Sequence, residues 1–313
     1  MKIVITGATG HIGSFLVRDF ANQFNDLEII MIDNMLTQRF SSLFNLPDSP
    51  IYRFIEADIT EIDLISVLKE VDFLIHLAAI TDAAGSFYKA ELVERNNFQA
   101  TLKVAEACLR TNTKLVALSS TSVYGTQNRL VSEDCMIEEL KPQSPYAMSK
   151  LKEEQLISNL AEKEGLKAII CRFGTIFGAS PGMRFHTAVN KFCWQAIMNQ
   201  PITVWKTAYD QKRPYLDILD ASDAIAFIIK NDLFDGGIYN VLTHNLTVRN
   251  VLEAINFYVS EINIDFVENK IMNQLSYEVS NAKFRAKGFE FRGDLKKGIE
   301  NTVNILRQSN KAF

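Results

Sequence analysis

The stretch KIVITGATGHIGSFL, residues 2–16, decides the fold. Residues 2–6 form a short apolar run of strand length, and Gly7, Gly10 and Gly13 follow at G-x-x-G-x-x-G spacing. Ile12, Phe15, Leu16, Phe20 and Phe24 then recur at helical intervals, which predicts a helix over 11–24. A strand, a glycine turn and a helix in direct succession bring unpaired N–H groups and the positive end of a helix dipole to one point. Small residues let the backbone approach a pyrophosphate there. Glycines at this spacing also make plain tight turns; the flanking strand and helix are what point to a dinucleotide site.

Moving outward, LEIIMID (27–33) reads as a second strand ending in Asp33, 20 residues after Gly13. A carboxylate at that place accepts both ribose hydroxyls of an adenosine and repels a 2'-phosphate, which favours NAD over NADP. Arg39 lies close by in sequence and is the residue that would favour a phosphate instead. Asp58 closes a third strand, IYRFIEAD (51–58), as a candidate acceptor for the adenine amino group or a simple turn residue. Ile12, Asn34 and Ile59 complete this part of the candidate cofactor set. DFLIHLAA (72–79), KLVALSS (114–120) and KAIICRF (167–173) continue the strand series, with helices from about Phe87 to Leu109 and from about Tyr146 to Lys163 between them. Strands alternating with helices of this length predict an α/β fold with a Rossmann-type parallel sheet covered on both faces.

After Gly178 the pattern changes. A helix over 186–199, ITVW (202–205), YLDILD (215–220), a helix over 221–231, GIYNVL (237–242) and a helix over 248–260 are mixed with loops, and 275–310 reads as short elements. The expected organisation is a mainly NAD-binding domain over 1–178 and a smaller substrate-binding lobe over 179–313, with some segments returning to the main sheet and a ligand cleft between.

Composition narrows the function. The 313 residues are 47% hydrophobic and carry a formal charge of −4 without a basic run, which fits a folded globular chain and argues against nucleic acid as a partner. Cys108, Cys135, Cys171 and Cys193 have neither zinc-ribbon nor disulfide-framework spacing, and the four histidines (His11, His76, His186 and His244) make no compact metal-ligand pattern, so no metal is expected. The amino terminus enters strand and turn directly and no long apolar run occurs, so a cytoplasmic protein without a membrane partner is expected. Phe185, Phe192 and Trp194 read as core residues.

The chemistry is carried by YAMSK, Tyr146–Lys150, and by Ser119, Ser120, Thr121 and Ser122 at the end of a strand. Four residues apart on a helix share a face, so the Lys150 ammonium is expected beside the Tyr146 phenol, where it favours phenolate and lowers the tyrosine pKa. Proton exchange with a sugar hydroxyl then becomes feasible near neutrality. One hydroxyl of the serine–threonine cluster is expected to hold the substrate oxygen; Ser120 is the candidate, and at least two of the four are expected to satisfy loop backbone.

These residues, with HLAA (76–79), NNFQAT (96–101), RFGTIFG (172–178) and RPYLDILDASDAI (213–225), resemble the extended short-chain dehydrogenase/reductases of the NAD-dependent epimerase/dehydratase family, the family of UDP-galactose 4-epimerase. The resemblance implies Tyr146 as acid/base, Lys150 on the nicotinamide ribose and Ser120 as the assisting hydroxyl. It implies Leu77, Ala78 and Ala79 along the cofactor, Asn97 as support on the cofactor side, and Phe173 beside nicotinamide. It places Thr81, Thr121, Thr175, Asn190 and Arg213 on the substrate, Asn190 and Arg213 at the diphosphate; Thr175 stands where some 4-epimerases have asparagine. The cofactor implied is tightly bound NAD, the partner a nucleotide-diphosphate sugar, and the assembly a homodimer. A 4,6-dehydratase of this family resembles T-D-E before V-Y-G, whereas this chain has Ser120, Thr121 and Ser122. The expected reaction is therefore C4 epimerisation through a transient 4-keto sugar, with a sugar 4-dehydrogenase or ketoreductase using the same Ser/Tyr/Lys set as the alternative. A noncatalytic NAD-binding protein is the remaining class.

Overall fold

The computed structural model describes residues 1–81, 90–268 and 276–308. In chain order the elements are β1 (Lys2–Thr6), α1 (His11–Gln23), β2 (Glu28–Asp33), β3 (Ile51–Glu56), α2 (Leu64–Val67), β4 (Phe73–His76), α3 (Ala90–Thr111), β5 (Lys114–Ser120), β6 (Leu130–Val131), α4 (Pro145–Glu164), β7 (Ala168–Phe173) and β8 (Thr175–Phe177). They continue with α5 (Ala188–Ile197), β9 (Ile202–Trp205), β10 (Lys212–Asp217), α6 (Ile218–Lys230), β11 (Ile238–Val241), β12 (His244–Thr247), α7 (Val248–Tyr258), β13 (Ile264–Val267), β14 (Glu278–Val279), α8 (Ala282–Arg285) and α9 (Leu295–Gln308). The helix expected from about Phe87 has its first three residues outside the described ones; its described part starts at Ala90.

Seven strands form one parallel sheet in the order β11-β7-β5-β4-β1-β2-β3. Its inner strands are nearly continuous apolar runs because helices cover both faces. On one side Leu16, Val17 and Phe20 of α1 and Ile225, Ile228 and Ile229 of α6 pack on Ile3, Ile5 and Ile75. On the other, Val104 and Cys108 of α3 and Ile157 of α4 pack on Val4, Leu74 and Leu115. After β1 the chain builds β2 and β3 to one side, then crosses to β4 on the other. The carboxyl ends of β1 and β4 thus flank the switch point where open α/β sheets bind ligands.

The residues after Phe173, joined by β6, build smaller sheets, β12-β10-β8, β13-β9 and β14-β6, and a third core includes Phe177, Val189, Phe192, Val251 and Val303. They do not stay apart: β11 returns to the edge of the main sheet beside β7, and α6 packs against α1. Two segments differ from the sequence reading. YLDILD divides at Asp217, whose carboxylate accepts the Leu219 N–H and caps α6, so Ile218 starts the helix. The tail holds α9, where Ile299, Val303 and Leu306 recur on one buried face.

Helix α4 matters most for the site. Ser144 caps it by accepting the Ala147 N–H at 3.1 Å, Pro145 occupies the first helical position, and Gly165 closes it at φ +79°. That start fixes Tyr146 in the first turn and puts Lys150, Glu153 and Glu154 in the following turns, all three buried.

Candidate active site

The glycine turn is shaped by close backbone approach. Gly7 has φ +67°, and a Cβ there would lie 2.8 Å from Ala78 N. A Cβ on Gly13 would lie 2.5 Å from the Gly7 carbonyl oxygen. Gly10 caps α1 without any side-chain hydrogen bond, leaving the first helical N–H groups to an outside acceptor. Asp33 is oriented by its neighbours: Oδ2 accepts the Thr9 N–H at 3.1 Å and Oδ1 the Met35 N–H at 2.9 Å. The charge of Asp33 acts on Arg39, and Nη1 of Arg39 would lie 3.9 Å from a Cβ on Gly10, so acid and base both border the turn. Ile12 is partly buried against the core and Ile59 is buried. Asp58 accepts the Thr60 hydroxyl and N–H and the Asn34 side-chain amide, and these bonds, the Thr60 hydroxyl foremost, hold it below the usual carboxylate range.

The facing edge is the loop after β4. Leu77 and Ala78 donate their N–H groups to Thr6 Oγ1, each at 3.2 Å. Ala79 is partly buried, and Asn97 of α3 clamps the next residue by accepting the Ile80 N–H at 2.8 Å and donating to its carbonyl at 3.1 Å. Thr9 Oγ1 and Thr81 Oγ1 are buried without a hydrogen-bond partner among the described residues. Uncapped helix, glycine cradle, strand-end acid and unpartnered hydroxyls together fit a dinucleotide with its pyrophosphate on α1.

Across the cleft, the Ser120 side chain is near enough to act on the Tyr146 phenol, and Ser120 Oγ accepts the Ser122 N–H at 3.2 Å and hydroxyl at 2.9 Å. Lys150 acts on Tyr146 as a positive charge. The direction of the tyrosine shift differs from the sequence expectation: burial of the phenol raises its pKa and outweighs the lowering by Lys150. Burial works to lower the Lys150 pKa, but Glu153 and Tyr146 outweigh it, so the ammonium is held above its ordinary value. Ser119 does not enter the cleft group; its hydroxyl donates to Glu154.

The residues expected on the substrate fall in two places. Thr121 donates to the Phe173 carbonyl at 3.3 Å and lies 3.4 Å from the Tyr277 hydroxyl, and Arg213 is close enough to Tyr277 for its charge to act there. Thr175 starts β8 opposite Tyr215 of β10. Asn190 is turned inward instead: fully buried, it donates to the Gly178 carbonyl at 3.1 Å and accepts the Gly178 N–H at 3.2 Å. In this conformation it braces the loop after β8 rather than facing the cleft.

Several contributors escaped the sequence reading. His11 bonds the Gly178 carbonyl at 2.8 Å, and Ser14 accepts the Gly182 N–H at 2.9 Å, which ties the 178–182 loop over the glycine turn. Arg184 acts electrostatically on both Tyr146 and His11. Glu153 pairs with Lys150. The Pro181–Gly182 turn and the acid three residues after Lys150 were visible signals; the convergence of these segments was not. Among the described residues, no group of His, Cys, Asp and Glu is arranged to hold a metal ion, and no helix is long and apolar enough to cross a membrane.

A glycine turn at the switch point of a parallel sheet, faced by a serine, tyrosine and lysine, defines an extended short-chain dehydrogenase/reductase. The chain belongs to the NAD dependent epimerase/dehydratase family, which it matches over residues 3–241. Its relatives include an uncharacterized UDP-glucose epimerase of Bacillus subtilis, 30% identical over 77% of this chain and 76% of that one. They also include a trifunctional UDP-glucose 4,6-dehydratase/UDP-4-keto-6-deoxy-D-glucose 3,5-epimerase/UDP-4-keto-L-rhamnose-reductase of Arabidopsis thaliana, 26% identical over 98% of this chain. The chain spans about half the length of that relative, 47%. The fold matches that of UDP-glucuronic acid 4-epimerase from Bacillus cereus in complex with UDP-glucuronic acid and NAD, with a TM-score of 0.88, 24% identity and coverage of 99% and 100% of the two chains.

Proposed function

We propose that this protein is an NAD-dependent nucleotide-sugar 4-epimerase. The observation that carries this reading is Tyr146 beside Lys150 and Ser120, with Ser120 on a turn, Ser119–Gly125, whose sequence contains no carboxylate. Epimerisation needs one reversible proton exchange at the sugar oxygen. Elimination of water needs a further acid/base pair, for which Ser120, Thr121 and Ser122 are no substitute.

Gly7, Gly10, Ile12, Gly13, Asp33, Asn34, Asp58 and Ile59 would hold the adenosine and pyrophosphate of NAD, with Leu77, Ala78, Ala79, Asn97, Phe173, Tyr146 and Lys150 along its nicotinamide half. When bound, NAD supplies the hydride acceptor and donor. Ser120 holds the sugar 4-oxygen, and Tyr146 takes its proton as the carbon is oxidised and returns it when the ketone is reduced from its other face. Lys150 offsets the charge on Tyr146 as the proton leaves. Arg213 and Thr121 lie on the substrate side with Thr81 and Thr175, where a nucleotide diphosphate would be held. For Asn190 we propose support of the 178–182 loop. Leu92 of α3 and Met148 of α4, both exposed, offer a face for a homodimer, and we place the protein in the cytoplasm.

The test is incubation of NAD-loaded protein with UDP-glucose, UDP-N-acetylglucosamine, UDP-glucuronic acid and dTDP-glucose, with products identified by NMR and reduced cofactor followed by absorbance. A C4 stereoisomer without accumulating NADH supports the reading. Equal amounts of NADH and keto-sugar would replace it with a 4-dehydrogenase, and a 4-keto-6-deoxy product with a dehydratase.

A further inference from the structure

Behind Tyr146 and Lys150 lies a buried polar chain for which proton exchange at the sugar has no direct use. Lys150 Nζ donates to Glu153 Oε2 at 2.8 Å, with both side chains 5% exposed. Thr101 Oγ1 donates to the same oxygen at 2.8 Å, His76 Nε2 lies 3.2 Å from Thr101 Oγ1, and His76 Nδ1 lies 2.8 Å from Thr6 Oγ1.

The proton positions follow from donor capacity. Thr101 has one hydroxyl proton and gives it to Glu153, so it accepts from His76, which fixes the Nε2–H tautomer. His76 Nδ1 is then an acceptor, so the Thr6 proton points to it while the Thr6 oxygen accepts the Leu77 and Ala78 N–H groups. The donors along the chain thus run in sequence toward Glu153. Its second oxygen, Oε1, is buried with no hydrogen-bond partner among the described residues, and Glu153 lines a cavity of about 10 Å³ shared with His76, Thr101, Ser119, Lys150 and Glu154.

An incompletely satisfied buried carboxylate binds its one cation strongly. The groups facing it are known from each neighbouring element: Tyr146, Lys150 and Glu154 on α4, Thr101 on α3, His76 on β4 and Ser119 on β5. Arg172 of β7 is neutralised by Glu154, and Arg184 acts on Tyr146 from the cleft side. Among the acids of the described residues, Glu153 is the one paired directly to the lysine that serves the tyrosine.

We propose that Glu153 is a positioning residue for the catalytic pair: it anchors the Lys150 ammonium on the protein side of the cleft and cancels part of its charge, so that Tyr146 keeps its proton to higher pH than Lys150 alone would allow. The inference rests on the reading of Tyr146 as the acid/base. The burial-raised tyrosine agrees with it, since Glu153 acts in the same direction as burial.

The test is an NMR titration of ring-labelled tyrosine, with Tyr146 assigned by loss of its signal in Tyr146→Phe, on NAD-free and NAD-loaded protein. Glu153→Gln should lower the Tyr146 midpoint by about one unit, the effect of a unit charge several ångströms away at a protein-like dielectric. Glu153→Asp, which keeps the charge, should move it less than half as far. If Glu153→Gln does not fold, Glu153→Ser removes the charge in a smaller side chain and serves the same comparison. A midpoint that stays or rises in the folded neutral variant would overturn the proposal, and so would an equal fall in Glu153→Asp, since loosening that wets the phenol lowers the midpoint whether or not the charge is kept. Because the titration needs no substrate, its failure is separable from failure of the epimerase reading, which the sugar panel decides.

Discussion

Arg172 and Glu154 meet in a two-point ion pair in the interior, with Nε 2.9 Å from Oε1 and Nη2 2.7 Å from Oε2, and side chains 4% and 2% exposed. Arg172 sits opposite Ser119 in the β5–β7 register, and Ser119 donates to the same carboxylate. The guanidinium also lies 4.8 Å from the centre of the Tyr124 ring. Glu154 thus fastens α4, which carries Tyr146 and Lys150, to the strand ending in Ser120.

Removing one partner of a buried pair leaves the other charge uncompensated. Glu154→Leu should therefore cost about 3–5 kcal/mol in urea unfolding. The double variant Glu154→Leu/Arg172→Met should lose less than the sum of the two single changes. Simple additivity would show that the two residues do not act as a pair.

Tyr146→Phe keeps the ring and removes the hydroxyl that Ser120 and Lys150 act on. Folding and NAD binding should persist while turnover falls at least about 100-fold, because proton transfer rather than packing is lost. Near-normal turnover of the folded variant would exclude Tyr146 as the acid/base.

Asp33 and Arg39 share the rim of the glycine turn and oppose one another in charge. The wild-type protein should bind NAD more tightly than NADP. Asp33→Ala removes the group that repels a 2'-phosphate and leaves Arg39, so the NAD:NADP affinity ratio should fall at least about tenfold. Titration of both cofactors with both proteins measures it; an unchanged ratio would place the discrimination elsewhere.

His76 is buried in the β4 end, and burial first, then the charge of Lys150, lowers its pKa from 6.5 to about 3. The folded state then binds fewer protons than the unfolded one between those values, so the stability that neutral His76 contributes is complete above pH 6.5 and is lost as pH falls toward 3. The stability difference between wild type and His76→Asn should shrink by about 2 kcal/mol between neutral pH and about pH 5. A difference independent of pH would mean that His76 titrates alike in the folded and unfolded chain.

The local periodicities determined much of this protein by themselves. A strand, a glycine turn and a helix lie within residues 2–24, and α4 carries its own cap, proline and terminal glycine, so contiguous residues specified both and placed Tyr146 and Lys150 on one face. Sequence also specified the parallel sheet, because buried parallel strands read as unbroken apolar runs. What it did not hold was distance across the fold. Ser120 reaches Tyr146 because β5 ends beside the first turn of α4, and Glu153 meets Thr101 and His76 because α3, α4 and β4 converge behind the cleft. Asn190 turns to Gly178, and His11 to the same carbonyl, only once α5 and the 178–182 loop close over α1. The sign of the Tyr146 shift belongs to the same category: helical spacing supplies the lysine, but burial by segments remote in sequence outweighs it, because desolvation is a property of the packed interior.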